Sequence, residues 1–348
     1  MNKPGMKVLF VGHHVPQYTH TNVYREKAIR QLGHEVLFFD DRNFILPGRI
    51  RNRVHLLRDW DFRRLNSRLV RVAHSYRPEL CLVMGSRLPL PTAKTVGRIR
   101  ETACGVALWV TDAPGYAGFS LIEESASSYD HVFCAGTEAI QILKNIGVKD
   151  VSWLPFGCDP DYHRPVELSE EETRRYARDV VFVGALYPNR WNILRQLDQF
   201  NLGIWGPLRA NVFPNEAQRQ YVQEAKVNYT EWVKIYSAAK VVVVIHYHDG
   251  KTPCYQMSPK LFEAMACKAF VVVDNQEDVF RLFDEGKHLV SYKNVEDLKA
   301  KISYYLQHPE ERLKIAEEAC RYVLQNHTYA HRIKQILKTM HPYQARPT

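Results

Sequence analysis

The stretch from Val241 to Asp274 places the tightest constraint on how this chain folds. It begins with an unbroken apolar, β-branched run, Val241 to Ile245, which is typical of a parallel strand buried on both faces. A helix of about two turns is predicted over Pro259 to Ala266, because Ser258 is a favourable N-cap and the proline after it suits the first helical position. Ala269 to Val273 predicts a second buried strand. The stretch is therefore a βαβ unit of a parallel sheet.

The start of the predicted helix suits a phosphate. Ligands of such sheets bind outside the carboxyl ends of the strands, where the loop 246–257 and Ser258 lie. The free N–H groups of the helix carry a partial positive charge, and Lys260 adds a formal one. Glu263, one turn further, can accept hydrogen bonds from sugar hydroxyls. These residues favour a nucleotide-sugar site; the alternative is that Lys260 and Glu263 are ordinary solvated helix residues.

Phe262-Glu263-Ala264-Met265-Ala266 resembles the F-E-A-M-A segment in the donor domain of GT-B glycosyltransferases, in which the glutamate holds the nucleotide sugar. The surrounding chain, from about residue 106 to 335, is similar to the CgeB-like spore-maturation branch. The resemblance implies a glycosyltransferase of the hexosyltransferase type. It also implies an α/β fold of two Rossmann-like domains facing a central cleft, residues 1–170 and 171–325, with a C-terminal helix, 326–348, that crosses back to the first domain.

Two positions depart from the superfamily pattern. Lys268 stands where most members have glycine, at a helix end where glycine takes positive φ at low cost. Tyr255 stands where many retaining members carry a second glutamate, eight residues before the first. These departures motivate an alternative, a non-catalytic scaffold that binds sugar nucleotides.

A second phosphate-binding element is predicted after the strand Val180 to Val183. Gly184 follows that strand at a point where backbone approaches a ligand, and Arg190 near the start of a helix over about 191–200 suits a diphosphate. The segment resembles the F-V-G-x-x-x-x-x-R element of CgeB-like proteins. The alternative for Arg190 is an ordinary surface residue.

Two candidate residues follow strands of the first domain. Its opening strand, Lys7 to Val11, is not followed by a G-x-G-x-x-G fingerprint, so no dinucleotide site is predicted there. His13 lies at the tip of that strand and is either a ligand-facing residue or a loop histidine. Asp112 follows the strand Val106 to Val110 and is either a general base for an acceptor hydroxyl or the cap of a turn. The segment from Trp109 to Pro114 resembles the W-x-x-D-x-P strand end of CgeB-like proteins.

Length and composition agree with two globular α/β domains. The chain has 348 residues, 45% hydrophobic and 24% charged, and no segment approaches the roughly 20 apolar residues of a membrane span. Seven scattered cysteines without a C-x-x-C pair indicate neither a disulfide framework nor a zinc site. Prolines and the charged run Glu167 to Arg178 predict a linker near residues 165–178. We expect a cytoplasmic protein, either free or peripheral at the inner face of the membrane.

The net charge of +9 favours acidic partners. Between Arg42 and Arg100 the chain contains about a dozen arginines but only three acidic residues. Apolar residues recur there at helical spacing, at Leu65, Leu69, Val72 and Tyr76, so the arginines fall mainly on the opposite side of the helix. The segment is either a basic solvated helix or a surface for an anionic membrane or another polyanion.

These observations combine into one hypothesis. The second domain holds a nucleotide-diphosphate sugar, and its sugar passes to an unidentified acceptor hydroxyl of a glycan, lipid, protein or small molecule. No metal is expected, because Arg190, Lys260 and a helix N-terminus neutralise the diphosphate and no D-x-D motif is present. No cofactor is expected besides the donor. A glycosyltransferase with a nucleic-acid acceptor is a further alternative.

Overall fold

The chain forms two compact α/β units. The computed structural model describes residues 5–14, 21–85, 91–102, 104–114, 117–209, 211–223, 229–248 and 250–343. The first unit extends to Pro155 and resumes at Arg332, and the second runs from Phe156 to His331. Residues 156–170, which the sequence assigned to the first domain, thus count with the second unit.

The first unit is built on a six-stranded parallel sheet. Its strands are β1 (Lys7–Gly12), β2 (Glu35–Asp40), β3 (Leu80–Met84), β4 (Gly105–Val110), β5 (His131–Cys134) and β6 (Val151–Trp153). Its helices are α1 (Thr21–Gln31), α2 (Gly48–Arg51), α3 (His55–Tyr76), α4 (Ala93–Arg100), α5 (Ala117–Ala126) and α6 (Glu138–Asn145). The strand order is β2-β1-β3-β4-β5-β6, so the chain reverses its direction across the sheet between β1 and β3. Strands β3, β4 and β5 are buried along their whole length, as expected for strands whose sequences are almost entirely apolar.

The second unit has a five-stranded parallel sheet in the order β11-β10-β9-β7-β8. Its strands are β7 (Val180–Val183), β8 (Leu202–Trp205), β9 (Val241–Val244), β10 (Val271–Asp274) and β11 (Val290–Tyr292). Its helices are α7 (Glu170–Tyr176), α8 (Pro188–Leu194), α9 (Glu216–Arg219), α10 (Tyr229–Ala238), α11 (Pro259–Ala266), α12 (Val295–Gln307) and α13 (Pro309–Asn326), with a 3₁₀ turn at Glu277–Arg281. A last helix, α14 (Tyr329–Met340), follows. Here the chain reverses between β7 and β9.

Two sequence expectations on local structure were wrong. The predicted linker contains α7, because Ser169 and Glu172 form a capping box that holds the first turn of a helix. Helix α8 starts earlier than predicted and ends at Leu194, since Pro188 occupies its first turn and Trp191 and Leu194 already bury its apolar face. By contrast, the predicted bounds of α11 are confirmed.

Candidate functional site

A cavity of about 160 Å³ lies at the carboxyl ends of β7 and β9, where the second sheet reverses direction. This is the position at which open α/β sheets bind ligands. Gly184, Arg190, Ser258 and Lys260 all line it. The structure thus brings four of the five predicted donor-binding residues to one cavity, and Glu263 lies buried one helical turn from Lys260.

The wall formed by Gly184 is bare backbone. The residue has a φ of +153°, and its N–H donates to the carbonyl of Trp205 at 2.8 Å. Across from it, a Cβ at Gly206 would lie 2.0 Å from the carbonyl oxygen of Gly184. Gly206 is therefore required for the strands to end this close together, and Gly184 is required by its own positive φ. The close packing leaves main-chain atoms beside the cavity, where a phosphate can approach.

Arg190 is held in place by its own loop. Its Nη1 donates to the carbonyl of Ala185 at 2.9 Å, and its guanidinium carbon lies 5.4 Å from the ring centroid of Tyr187 and 5.7 Å from that of Phe182. The residue is half-buried and lines the cavity. A guanidinium fixed in this way suits an anion better than a mobile surface arginine does.

Helix α11 presents its N-terminus to the same cavity. The Ser258 hydroxyl accepts a hydrogen bond from the backbone N–H of Lys260 at 3.3 Å, which confirms the predicted N-cap. Ser258, Pro259 and Lys260 all line the cavity. The partial positive charge of the helix therefore adds to that of Lys260.

Lys260 and Glu263 form a buried ion pair, so the alternative of ordinary solvated residues is wrong. Lys260 Nζ lies 2.8 Å from Glu263 Oε2 and 3.1 Å above the ring centroid of Trp232, and Glu263 is 2% exposed. Burial lowers the pKa of Lys260, with Glu263 opposing it. Burial alone would raise the pKa of Glu263, but Lys260 and His163 outweigh it and hold that pKa below its usual value. The carboxylate is therefore ionised and fixes the ammonium at the cavity.

A second buried polar pair joins the ends of β9 and β10. His246 Nδ1 lies 2.5 Å from Asp274 Oδ1, and the His246 backbone N–H donates to Asp274 Oδ2 at 2.9 Å. Burial alone would raise the pKa of Asp274, but His246 outweighs it and holds that pKa well below its usual range. The carbonyl of His246 accepts from Asn189, the neighbour of Arg190. The pair therefore ties the loop that follows β9 to β10 and α8.

A larger cavity, about 770 Å³, lies beside the loop that follows β9. Tyr255 lines it together with His248, Lys251, Gln276 and Phe280. Tyr255 does not line the smaller cavity, so the residue in place of the missing glutamate faces a different space. The other departure, Lys268, has the positive φ expected of a glycine position, +59°. It follows α11 at the end remote from Ser258, and the eight residues of that helix alone span about 12 Å along the axis.

In the first unit, His13 lies just beyond β1 at the point where that sheet reverses. Its carbonyl accepts a hydrogen bond from Asn22 at 3.0 Å. Burial, followed by the charge of Arg42, lowers the pKa of His13, and Asp40 opposes them. One ligand atom each from His13, Asp40 and Asp41 lies within 4.8 Å of the others, an arrangement that could hold a cation.

Asp112 is half-buried just beyond β4. Strand β3 separates β4 from β1, so Asp112 and His13 follow strands that are two positions apart, roughly 10 Å in a sheet. The structure therefore places both predicted residues at the carboxyl-end edge of one sheet.

Sequence reasoning missed Trp232, His163 and the His246–Asp274 pair. A signal was present for the pair, because β9 and β10 are in register at Val244 and Val273, and a polar residue follows each apolar run. Trp232 and His163 are remote from Glu263 in sequence, and no local pattern connects them.

Residues 190–338 match the profile of a family described as glycosyl transferase-like. The chain is 23% identical over 256 residues to the spore protein CgeB of Bacillus subtilis strain 168. The aligned region covers 70% of this chain and 76% of that protein.

Solved structures show the same fold. HepE of Anabaena, in complex with UDP and glucose, has a TM-score of 0.65 at 14% identity, covering 97% of this chain and all of that one. The catalytic domain of starch synthase IV from Arabidopsis thaliana, bound to ADP and acarbose, has a TM-score of 0.68 at 10% identity, covering 98% and 100%.

None of the described helices has the length and apolar character needed to cross a bilayer. The two parallel sheets, the matching family profile and the shared fold confirm the resemblance that the sequence predicted. This chain therefore has the GT-B fold of these solved structures, with a glycosyl transferase-like profile over residues 190–338 and a likeness to CgeB.

Proposed function

We propose that the chain transfers a sugar from a nucleoside-diphosphate sugar to an acceptor hydroxyl and holds the donor diphosphate in the 160 Å³ cavity. The observation that carries this proposal is the convergence of Gly184, Arg190, Ser258 and Lys260 on that cavity. Their chemistry, bare backbone, two cations and a helix N-terminus, is what a diphosphate requires. The names of two similar structures include UDP and ADP, which agrees with this ligand class.

The proposed reaction needs no metal for its leaving group. The acceptor oxygen forms a bond to the anomeric carbon, and the bond from that carbon to the diphosphate breaks, leaving its electron pair on the diphosphate. Negative charge therefore develops at the phosphates, where Arg190 and Lys260 stabilise it more strongly than in the ground state. Because Glu263 and Trp232 fix the Lys260 ammonium before the donor binds, little reorganisation is required.

Glu263 has two tasks in this proposal. One carboxylate oxygen holds Lys260, and the carboxylate also accepts a hydrogen bond from a hydroxyl of the donor. In the first unit, Asp112 takes the proton of the attacking acceptor hydroxyl. His13, whose pKa is lowered, is the second candidate for that proton.

The proposal is tested by titrating wild type, Arg190→Ala and Arg195→Ala with UDP, ADP, GDP, CDP and TDP and their common sugars, with thermal shift as the readout. Arg195 is the matched control, because it ends the same helix but is exposed and does not line the cavity. A ligand at 100 times its Kd stabilises the fold by about 2.7 kcal/mol, a shift of a few degrees. We expect at least one diphosphate to shift wild type and Arg195→Ala, and the shift to weaken in Arg190→Ala. The proposal is wrong if no diphosphate binds, or if both variants bind it like wild type.

The second candidate function is a scaffold that binds the donor without turnover. Tyr255 favours it, because this residue replaces a glutamate and lines another cavity. Release of free sugar from the donor without acceptor distinguishes the two: an enzyme releases it slowly, whereas a scaffold binds the donor and releases none. The basic face from Arg42 to Arg100 adds an anionic partner to the proposal, either a membrane surface or a nucleic-acid acceptor.

A further inference from the structure

Large apolar side chains are concentrated on one exposed surface of the first unit. Of the thirteen large exposed apolar side chains among the described residues, six lie between residues 45 and 60. They are Ile45, Ile50, Val54, Leu56, Leu57 and Trp60, and Leu56 is 78% exposed. We refer to these six residues and the arginines among them as the 45–60 surface. A cluster of this size on a globular unit indicates an interaction site.

These side chains lie on or beside parts of α2 and α3 that do not pack against the core. Helix α2 buries none of its residues, and the first buried side chain of α3 is Asp61. The six residues of α3 before Asp61 therefore extend about 9 Å beyond the packed part of the helix. No residue from Asn52 to Leu57 is more than partly covered.

The surface is nevertheless anchored. The fully buried carboxylate of Asp61 accepts hydrogen bonds from the backbone N–H groups of Ile45 and Leu46, at 3.3 and 3.1 Å, and from Arg64. The ring of Phe44 packs on that of Phe62 with centroids 5.4 Å apart. These contacts attach the segment before α2 to helix α3. The exposed apolar side chains therefore belong to an ordered part of the fold.

Arginines are interspersed with the apolar residues along the sequence. From Arg42 to Arg64 the sequence contains seven arginines and only two acidic residues, Asp59 and Asp61. Asp61 is occupied by its anchoring contacts. The chemistry is therefore that of interfacial anchors, which combine apolar side chains with arginines.

We propose that the 45–60 surface docks on an anionic lipid bilayer. The apolar side chains enter the boundary between headgroups and acyl chains, and the arginines bind the lipid phosphates. Aliphatic side chains as exposed as Leu56 favour a bilayer over nucleic acid, because a polynucleotide backbone offers them no apolar environment. This site is separate from the donor cavity, so lipid binding and donor binding can fail independently.

The test is co-sedimentation of the full chain with phosphatidylcholine vesicles and with vesicles of phosphatidylcholine and phosphatidylglycerol at 3:1. We expect binding to the anionic vesicles that weakens with salt. The double variant Leu56→Ser/Trp60→Ser should lower the partition coefficient about tenfold or more. Arg53→Gln and Arg58→Gln should each lower it about fivefold. The matched controls are Leu313→Ser and Arg174→Gln, exposed residues of α13 and α7, which should bind like wild type.

Thermal melts check that every variant is folded. We expect all of them to be folded, because the substituted side chains are exposed and make few packing contacts. The proposal is overturned if wild type does not bind the anionic vesicles, or if the control variants lose as much binding as the surface variants. It is also overturned if Leu56→Ser/Trp60→Ser binds vesicles normally while the arginine variants lose retention on duplex DNA, since the surface would then be a nucleic-acid site. A dimer in gel filtration that this double variant dissociates would assign the surface to a second copy of the chain.

Discussion

The carboxyl-end edges of the two sheets share a topology but carry opposite charges. In the second unit the edge where β7 meets β9 holds Arg190, Lys260 and a helix N-terminus around a cavity. In the first unit the same edge of the sheet holds His13 just beyond β1, with Asp40 and Asp41 at the end of the neighbouring strand β2. Cations fixed by buried partners suit a phosphate that is already charged, whereas an imidazole and carboxylates suit the movement of a proton. The same sheet topology thus carries different chemistry in the two units, and the side chains at the strand ends account for the difference.

The largest expected effect concerns proton transfer in the first unit. Asp112→Asn removes the proposed base and should lower kcat roughly 10²- to 10⁴-fold, with donor affinity unchanged. Steady-state kinetics and a donor titration measure the two quantities separately. Asp150→Asn, an exposed carboxylate just before β6, is the control and should have a normal kcat. A near-normal rate in Asp112→Asn would assign the proton to His13 or another group.

The buried pair in the second unit gives the next effect. Glu263→Gln leaves the Lys260 ammonium without its counter-charge and should lower the free energy of unfolding by about 3 to 5 kcal/mol, measured by urea denaturation. Adding Lys260→Met removes the uncompensated charge and should restore part of that loss. Glu170→Gln, which breaks an exposed pair with Arg174, should cost less than about 1 kcal/mol. Equal losses for Glu263→Gln and Glu170→Gln would show that the buried pair does not stabilise the fold.

Asp274 should make the second unit sensitive to acid. Its folded-state pKa lies below the unfolded value of about 3.9, so its contribution is complete above that value and is lost as the pH falls through the folded pKa. Asp274→Asn should therefore destabilise the protein by roughly 1.5 to 3 kcal/mol at pH 7, and by less at pH 3.5. Urea denaturation at both pH values measures this. Asp198→Asn, at an exposed position, is the control, and its difference from wild type in the free energy of unfolding should be the same at both pH values. A loss for Asp274→Asn that is equally large at pH 7 and pH 3.5 would show that this carboxylate does not make the fold sensitive to acid.

Two substitutions of Lys268 should show the smallest difference in stability, because they differ only in the strain of the backbone at a positive φ. Its φ of +59° is costly for any residue with a Cβ, so Lys268→Gly should be more stable than Lys268→Ala by about 1 kcal/mol. The alanine variant is the control, because both variants lose the ion pair to Glu317. Thermal melts compare them. If alanine is equal or better, the positive φ is not a source of strain.

The stretch from Ser258 to Asp274 could be predicted because its signals are local. A capping serine, a following proline, the β-branched run before this stretch at Val241 to Ile245 and the one at its end determine a short helix between two strands, whatever surrounds them. The ion pair of Lys260 with Glu263 was within reach for the same reason, since residues three apart on a helix are neighbours.

The remaining features depend on long-range contacts. Trp232 meets Lys260 only because α10 packs beside α11, and His246 meets Asp274 only because β9 and β10 are adjacent strands. The exposure of Leu56 likewise depends on where the packed part of α3 begins. Apolar residues at helical spacing do not reveal which turns of a helix leave the core.

The most direct test of the account is release of nucleoside diphosphate from sugar donors by wild type, Arg190→Ala and Arg195→Ala. We expect release from at least one donor by wild type, a rate near wild type for Arg195→Ala, and a rate lowered at least tenfold for Arg190→Ala. Release that is unaffected by Arg190→Ala, or no release from any donor that binds, would contradict the claim that the cavity between β7 and β9 holds the leaving group of a glycosyltransferase.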